Sequence, residues 1–160
     1  MSTNSITRKR LEEQGFCGLD DETLAEVGPW LRWSPVLCTF VMILGVFLQS
    51  PVVLWLLAAI AFLGVFLPFH PFDLLYNYGV RHFTGTRPFP HNGPQRKFAC
   101  GLASAWLVAT GWAFYAGMST LGFSLGIALI LVAALVSVTN ICIPSMIYNL
   151  LFGKKGSSNA

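Results

Sequence analysis

The sequence predicts an all-α membrane protein with four transmembrane helices in two tight hairpins. Apolar residues make up 54% of its 160 residues, and only 11% of the residues are charged. Soluble domains usually carry about 25% charged residues. Two segments, 33–69 and 98–153, contain no Asp, Glu, Lys or Arg. Since a membrane-crossing helix needs about 20 apolar residues, each segment is long enough for two such helices.

The first hairpin is predicted from residues 30–49 and 52–69. Trp30 and Trp33 suit the aromatic belt at a membrane interface, and Arg32 can extend its charge to the lipid headgroups. A Ser-Pro pair between the two segments favours a turn.

The second hairpin is predicted from residues 98–117 and a span that starts near Leu121, joined by a three-residue turn. The last span is predicted to continue past Asn140 to Phe152. A kink is expected at Pro144, because proline removes a helical hydrogen bond.

The basic residues predict the orientation. All ten Lys and Arg residues precede or flank the first span, lie between the second and third, or follow the fourth, and neither short turn has any. Four spans place those three segments on one side, and the positive-inside rule makes that side cytoplasmic. We therefore expect a multi-pass protein of the cytoplasmic or inner membrane with both termini in the cytoplasm. No nucleic-acid partner is expected, since orientation and anionic lipid account for the basic residues.

These boundaries divide the chain into three parts. Residues 1–29 form a cytoplasmic segment in which Asp20 is expected to N-cap a short helix. Residues 30–153 form the transmembrane domain, which includes a cytoplasmic loop at 70–97. Residues 154–160 form a cytoplasmic tail.

An amphipathic helix is predicted over residues 72–83 of the central loop. Apolar positions recur there at intervals of three and four residues, as on one face of a helix. These positions are Phe72, Leu75, Tyr76, Gly79, Val80 and Phe83. Asp73, Asn77 and Arg81 fall on the opposite face. Such a helix lies in the membrane interface or packs beneath the bundle.

The central loop also carries polar side chains that could form a ligand or partner surface. They are His70, Asp73, Asn77, Arg81, His82 and Arg87. The alternative is a structural linker, since residues 84–94 are rich in Pro and Gly. The loop histidines and Asp73 are metal-binding residue types, but their spacing matches no zinc pattern, so no metal site is predicted. No histidine lies inside a span, so a haem between the helices lacks its usual ligands, and no cofactor is predicted.

Small residues recur every fourth position through the third span. They are Gly101, Ala105, Ala109, Ala113 and Gly117. Gly122 and Gly126 begin the fourth span with GxxxG spacing. Small residues let helix backbones approach closely. They predict packing of the third span on the fourth inside one molecule, or alternatively a homo-oligomer interface.

The four cysteines are Cys17, Cys38, Cys100 and Cys142. A cytoplasmic location argues against structural disulfides. Cys142 is the candidate catalytic residue, as a reactive thiol to which Ser145 or Asn140 offers a hydrogen bond. The predicted topology brings Cys142 near Cys100, with Cys38 at a similar depth. The alternative is that Cys142 is an apolar packing residue near a proline kink.

Two segments carry a resemblance to a known family. They are Pro94-Gln95-Arg96-Lys97-Phe98-Ala99, at the start of the third span, and Asn140-Ile141-Cys142-Ile143-Pro144-Ser145-Met146-Ile147-Tyr148. The sequence resembles the bacterial membrane family called domain of unknown function 4395, over roughly Leu19 to Phe152. The resemblance implies membrane placement and no assigned activity. Many members carry a second cysteine where this chain has Ser145, so a CxxC dithiol is not carried over.

The sequence contains no complete catalytic constellation, since a P-loop, an HExxH and a GxSxG are all absent. We expect a non-enzymatic accessory or scaffold subunit that contacts membrane lipid or a membrane-protein partner. One alternative is a thiol-dependent redox or sulfur-handling protein that uses Cys142. Another is an oligomeric small-solute transporter, although the spans lack the carboxylates that often couple transport to protons.

Overall fold

The computed structural model describes residues 5–16 and 20–152, whose regular structure is entirely helical. The helices are α1 (Ser5–Glu13), α2 (Asp21–Val27), a 3₁₀ turn (Trp30–Arg32), α3 (Trp33–Phe47), α4 (Pro51–Phe66), α5 (Pro71–Leu75), a π-helical turn (Tyr76–Val80), α6 (Arg81–Thr84), α7 (Pro94–Tyr115), α8 (Ser119–Thr139) and α9 (Ile143–Phe152). The all-α prediction is confirmed. Cys17 and the predicted tail 154–160 lie outside the described residues.

Among the described residues, three segments are long and apolar enough to cross a membrane: Trp30–Phe47, Pro94–Tyr115 and Ser119–Thr139. A fourth span is present if α4 and the helical segment Pro71–Thr84 are taken together, although these are bent by 83° at their break. Alone, α4 has 16 residues and ends at Phe66, before the predicted end at residue 69. The early end has a local cause: Leu67 precedes a proline and adopts the extended conformation that proline favours in the residue before it.

Short turns join the helices of each hairpin, as predicted. The hydroxyl of Ser50 accepts a hydrogen bond from the Val53 N–H at 3.4 Å, and Pro51 occupies the first position of α4. In the second hairpin, Gly117 follows α7 with a left-handed φ of 75°. Glycine adopts this conformation without steric cost. Asp20 caps α2 by accepting from the Thr23 N–H at 3.0 Å, so that prediction is also confirmed.

The break between α8 and α9 falls at Asn140, not at Pro144 as predicted. Asn140 ends α8 in the left-handed conformation (φ 55°). Pro144 lies instead in the first turn of α9, where a missing N–H removes no helical hydrogen bond. The side chains of Arg10 and Gln14 donate to the carbonyls of Thr139 (2.9 Å) and Asn140 (2.6 Å). These contacts hold the N-terminal segment against the end of α8.

The α7 helix packs mainly on α4 and also contacts α8. This packing does not follow the predicted small-residue stripe. Gly101 is half-buried and Ala113 is buried, whereas Ala105, Ala109 and Gly117 are exposed. The α7 face that meets α4 includes Ser104, whose hydroxyl donates to the Ala58 carbonyl at 2.9 Å.

Gly122 and Gly126 of α8 do lie at close helix contacts. A Cβ atom on Gly122 would be 2.6 Å from the ring of Phe114 in α7, and one on Gly126 would be 2.6 Å from Val46 in α3. The two glycines therefore permit α8 to approach two different helices.

The central loop is helical where predicted, but its faces differ from the prediction. Tyr76, Asp73 and Asn77 are buried, whereas Leu75 and Phe83 are exposed. The polar side chains are buried because they have partners; for example, the Asn77 Oδ1 accepts from a backbone N–H at 2.9 Å. The π-helical turn also interrupts the 3.6-residue period on which the prediction depended.

Candidate functional site

A cavity of about 250 Å³ lies between α3, α4, α7, α8 and α9. Apolar side chains from the middle of these helices line one part of it, including Met42, Leu107 and Leu129. Polar side chains from helix ends line another part, including Arg96 and Ser145. The cavity is therefore mainly apolar, with a small number of polar groups.

Three cysteines from distant parts of the sequence line this cavity: Cys38 of α3, Cys100 of α7 and Cys142, which immediately precedes α9. All three are free thiols. Cys100 is buried, and Cys38 and Cys142 are half-buried. The structure thus brings Cys142, Cys100 and Cys38 around one space.

His70 lies beside Cys100. A Cβ atom on Gly64 would be 3.0 Å from the His70 ring and 3.3 Å from the Cys100 sulfur, so the absence of a side chain there leaves room for both. The His70 Nδ1 accepts a hydrogen bond from the Phe72 N–H at 3.3 Å and lies 2.9 Å from the hydroxyl of Ser34. Because Nδ1 is an acceptor, the neutral ring carries its proton on Nε2.

A buried ion pair adjoins His70. The Asp73 carboxylate accepts from the His70 backbone N–H at 3.3 Å, which completes the cap of α5. The same carboxylate lies 3.0 Å from Nη2 of Arg96, which comes from the first turn of α7. Asp73 and Arg96 therefore fix the central loop to the start of α7.

Two residues that line the cavity each have a buried polar atom without a hydrogen-bond partner among the described residues. These atoms are Nη1 of Arg96 and the hydroxyl of Ser145. Ser145 is 1% exposed. The Arg96 guanidinium lies over the Phe16 ring, 5.2 Å from its centroid.

Burial and, as a smaller effect, the positive charge of Arg96 together lower the pKa of His70 to about 3. The imidazole is therefore neutral at physiological pH. An unfolded histidine takes up a proton near pH 6.5, which the folded state resists. The contribution of neutral His70 to the free energy of unfolding is therefore fully present above about pH 6.5 and is lost as the pH falls towards 3.

We expect the free energy of unfolding to fall on acidification, with His70 adding up to about 1.4 kcal/mol per pH unit. His70→Asn keeps a side chain that can cap α5, and it should show a smaller slope when unfolding in mild detergent is followed by circular dichroism. His82→Asn is the control, because His82 is exposed. Equal slopes for wild type and His70→Asn would contradict this prediction.

The remaining polar residues of the predicted loop surface are not brought together. Arg87 lies 3.4 Å from both Glu22 and Glu26, and so fixes the loop to α2. Arg81 is half-buried and His82 is exposed, and neither lines the cavity. Within the described residues, no group of three or more His, Cys, Asp or Glu side chains is placed to hold a metal ion.

Sequence reasoning missed Arg96 and Ser34 as site residues. It named Ser145 only as a hydrogen-bond partner of Cys142, whereas the Ser145 hydroxyl has no hydrogen-bond partner among the described residues. Arg96 carried a recognisable signal, since it is a charged residue at the start of a long apolar segment and Asp73 is the only acidic residue after Glu26. Ser34 carried no such signal, because isolated serines are common in apolar helices.

These features define a class: an all-helical protein whose longest helices are apolar enough to cross a membrane and enclose a cysteine-lined cavity. The chain matches the model of the family described as a domain of unknown function, DUF4395, over residues 28–152. It therefore belongs to that family, and the resemblance seen in the sequence is confirmed. No curated protein and no solved structure matches the chain.

Proposed function

We propose that the protein crosses the cytoplasmic membrane four times, with both termini and the central loop in the cytoplasm. The two helical hairpins and the placement of all ten basic residues outside the two short turns support this topology. It puts the polar part of the cavity near the cytoplasmic surface and the apolar part within the membrane.

Within this topology, we propose a thiol-dependent function centred on Cys142. The observation that carries the proposal is that cysteines from α3, α7 and the α8–α9 break line one cavity. Cys142 lies in the short segment between two helices, is half-buried and lines the cavity. Cys38 and Cys100 are the candidate second thiols.

The reaction class that this arrangement supports is thiol–disulfide exchange. The Cys142 thiolate attacks a substrate disulfide, forms a mixed disulfide and releases one substrate thiolate. A second cavity thiolate then attacks the Cys142 sulfur and releases the other substrate thiolate. Two protein thiols are thereby oxidised to one disulfide, the substrate disulfide is reduced to two thiols, and the thiol protons pass to the released thiolates.

The test uses a lipid-soluble disulfide, 2,2′-dipyridyl disulfide, on the protein in native membranes with Cys17 replaced by Ser. We expect release of two pyridine-thione molecules per protein, and a disulfide between Cys142 and Cys38 or Cys100 in the mass spectrum. Cys142→Ser should form no such bond and release thione more slowly. A mixed disulfide that persists on Cys142, or equal rates for the two proteins, would overturn the proposal.

The exposed side of the central loop supports a second proposal, an accessory or scaffold role. Leu75, Tyr78 and Phe83 are 58%, 79% and 94% exposed. Large apolar side chains on one segment are typical of a surface that contacts lipid or protein. A protein that co-purifies in mild detergent and is lost from a Tyr78→Ser/Phe83→Ser variant would favour this role; an unchanged set of co-purifying proteins would count against it.

A further inference from the structure

We propose that the cavity binds a single-chain amphiphile with an anionic head group, held at the head by Arg96 and Ser145. The inference rests on the proposed membrane placement and concerns the same cavity as the proposed thiol function. It does not require the cysteines to react.

The two unpartnered polar atoms indicate the chemistry of the head group. Buried polar groups in proteins almost always have hydrogen-bond partners, so each exception points to a missing one. Ser145 lines the cavity and is almost fully buried, and its hydroxyl has no hydrogen-bond partner among the described residues. Nη1 of Arg96 likewise has no hydrogen-bond partner, whereas Nη2 pairs with the Asp73 carboxylate. An oxygen-rich group would satisfy both donors.

The charges at the cavity favour an anion. Arg96 is the only charged residue that the described part of the chain contributes to the cavity lining. Asp73 balances its charge from the side, but it is not among the lining residues. A guanidinium is suited to carboxylate and phosphate groups, because its N–H groups match the spacing of their oxygens.

The position of α9 brings Ser145 to the cavity that Arg96 borders. Gln95, beside Arg96, donates to the Asn149 side chain at 3.2 Å, and the Phe98 and Tyr148 rings lie 5.6 Å apart. Asn149 in turn donates to the Glu13 carbonyl at 3.0 Å. The first two turns of α7, the second half of α9 and the end of α1 are therefore packed together beside the cavity.

The rest of the cavity is suited to a hydrocarbon chain. Met42, Leu57, Leu107, Leu129 and Val132 contribute to its wall. The volume of about 250 Å³ is below the roughly 300–1,000 Å³ of pockets that enclose drug-sized ligands. The cavity is only partly enclosed, so it can hold the head group and the first part of one chain, whose end would lie in the surrounding lipid. A lipid with two chains would not fit.

The test compares four probes by native mass spectrometry of the full-length protein in mild detergent. Oleate and monoacyl lysophosphatidic acid should bind saturably as one molecule per protein. Lysophosphatidylcholine should bind at least tenfold more weakly, because its head group has no net negative charge. Inorganic phosphate should neither bind nor displace lysophosphatidic acid, since it has no chain. Equal binding of the two lysolipids, or displacement by phosphate, would overturn the proposal.

Variants of residues that line the cavity test whether the amphiphile binds there. Ser145→Ala should weaken binding of lysophosphatidic acid by roughly tenfold, the effect of losing one hydrogen bond to a charged group. Ala103→Trp should block the chain, because Ala103 lines the cavity. Ser124→Ala is the matched control and should bind as wild type does, because Ser124 is exposed and does not line the cavity. The probes carry no disulfide, so their binding is measured independently of the thiol function. Unchanged affinity in both Ser145→Ala and Ala103→Trp would refute the site.

Discussion

Replacing Asp73 by Ala is expected to lower the free energy of unfolding by about 3–5 kcal/mol, because it leaves the charge of Arg96 buried and unpaired. Asp73 is 1% exposed, and the Arg96 side chain is 12% exposed. Water can therefore replace the lost carboxylate only poorly. Denaturant-induced unfolding in mild detergent, followed by circular dichroism, measures the effect.

The double variant Asp73→Ala/Arg96→Met is the control for this prediction. It removes both charges, and a buried ion pair can often be replaced by apolar residues at little cost. Both variants lose the small contribution of Asp73 to the α5 cap, so that loss cancels when they are compared. The double variant should therefore be more stable than Asp73→Ala. If the double variant is less stable than Asp73→Ala, the buried charge of Arg96 is not the origin of the loss.

The helical hairpins could be predicted because their determinants are local. Ser50 and Pro51 define the start of α4, and Gly117 permits the turn after α7, through conformational preferences of the residues themselves. Asp20 caps α2 in the same way. Such features need only neighbouring residues, so the sequence reveals them.

The faces of the central loop could not be predicted, since they depend on residues far along the chain. Periodicity assigns Asp73 to solvent, but Arg96 supplies its partner 23 residues later. Asn77 is likewise buried because the backbone of Phe89 donates to it. The prediction assumes that polar residues of an amphipathic helix face solvent. This assumption fails for a polar residue whose hydrogen-bond partner lies far along the chain.

The break at Asn140 was missed for a related reason. Proline is a stronger local signal for a helix break than asparagine, so the sequence predicts the kink at Pro144. The chain instead breaks where distant side chains satisfy the last carbonyls of α8, including the Thr139 carbonyl that accepts from Arg10. In the candidate site, topology alone suggested that the cysteines lie at one depth, but the unpartnered hydroxyl of Ser145 is visible only once α9 is placed.

Tyr76 should be the most sensitive aromatic residue of the central loop. Its side chain is fully buried, and its ring stacks on Phe89 with centroids 4.0 Å apart. The Trp30 and Trp33 rings lie 5.5 and 6.5 Å away, which joins the loop to the 3₁₀ turn and the start of α3. Tyr76→Ala is expected to cost about 3–5 kcal/mol, as for other large aromatic side chains removed from a core.

Two further variants separate the contributions to the Tyr76 prediction. Tyr76→Phe keeps the stacked ring but loses the hydrogen bond to Thr86, so it should cost about 0.5–1.5 kcal/mol. Tyr78→Ala changes a neighbouring ring that is 79% exposed, so its effect in detergent should fall within about 0.5 kcal/mol of wild type. Equal losses for Tyr76→Ala and Tyr78→Ala would mean that the loop helix does not bury one side against the N-terminal segment. A loss confined to Tyr76 would show that its ring anchors the loop, and with it Asp73, beside the cavity.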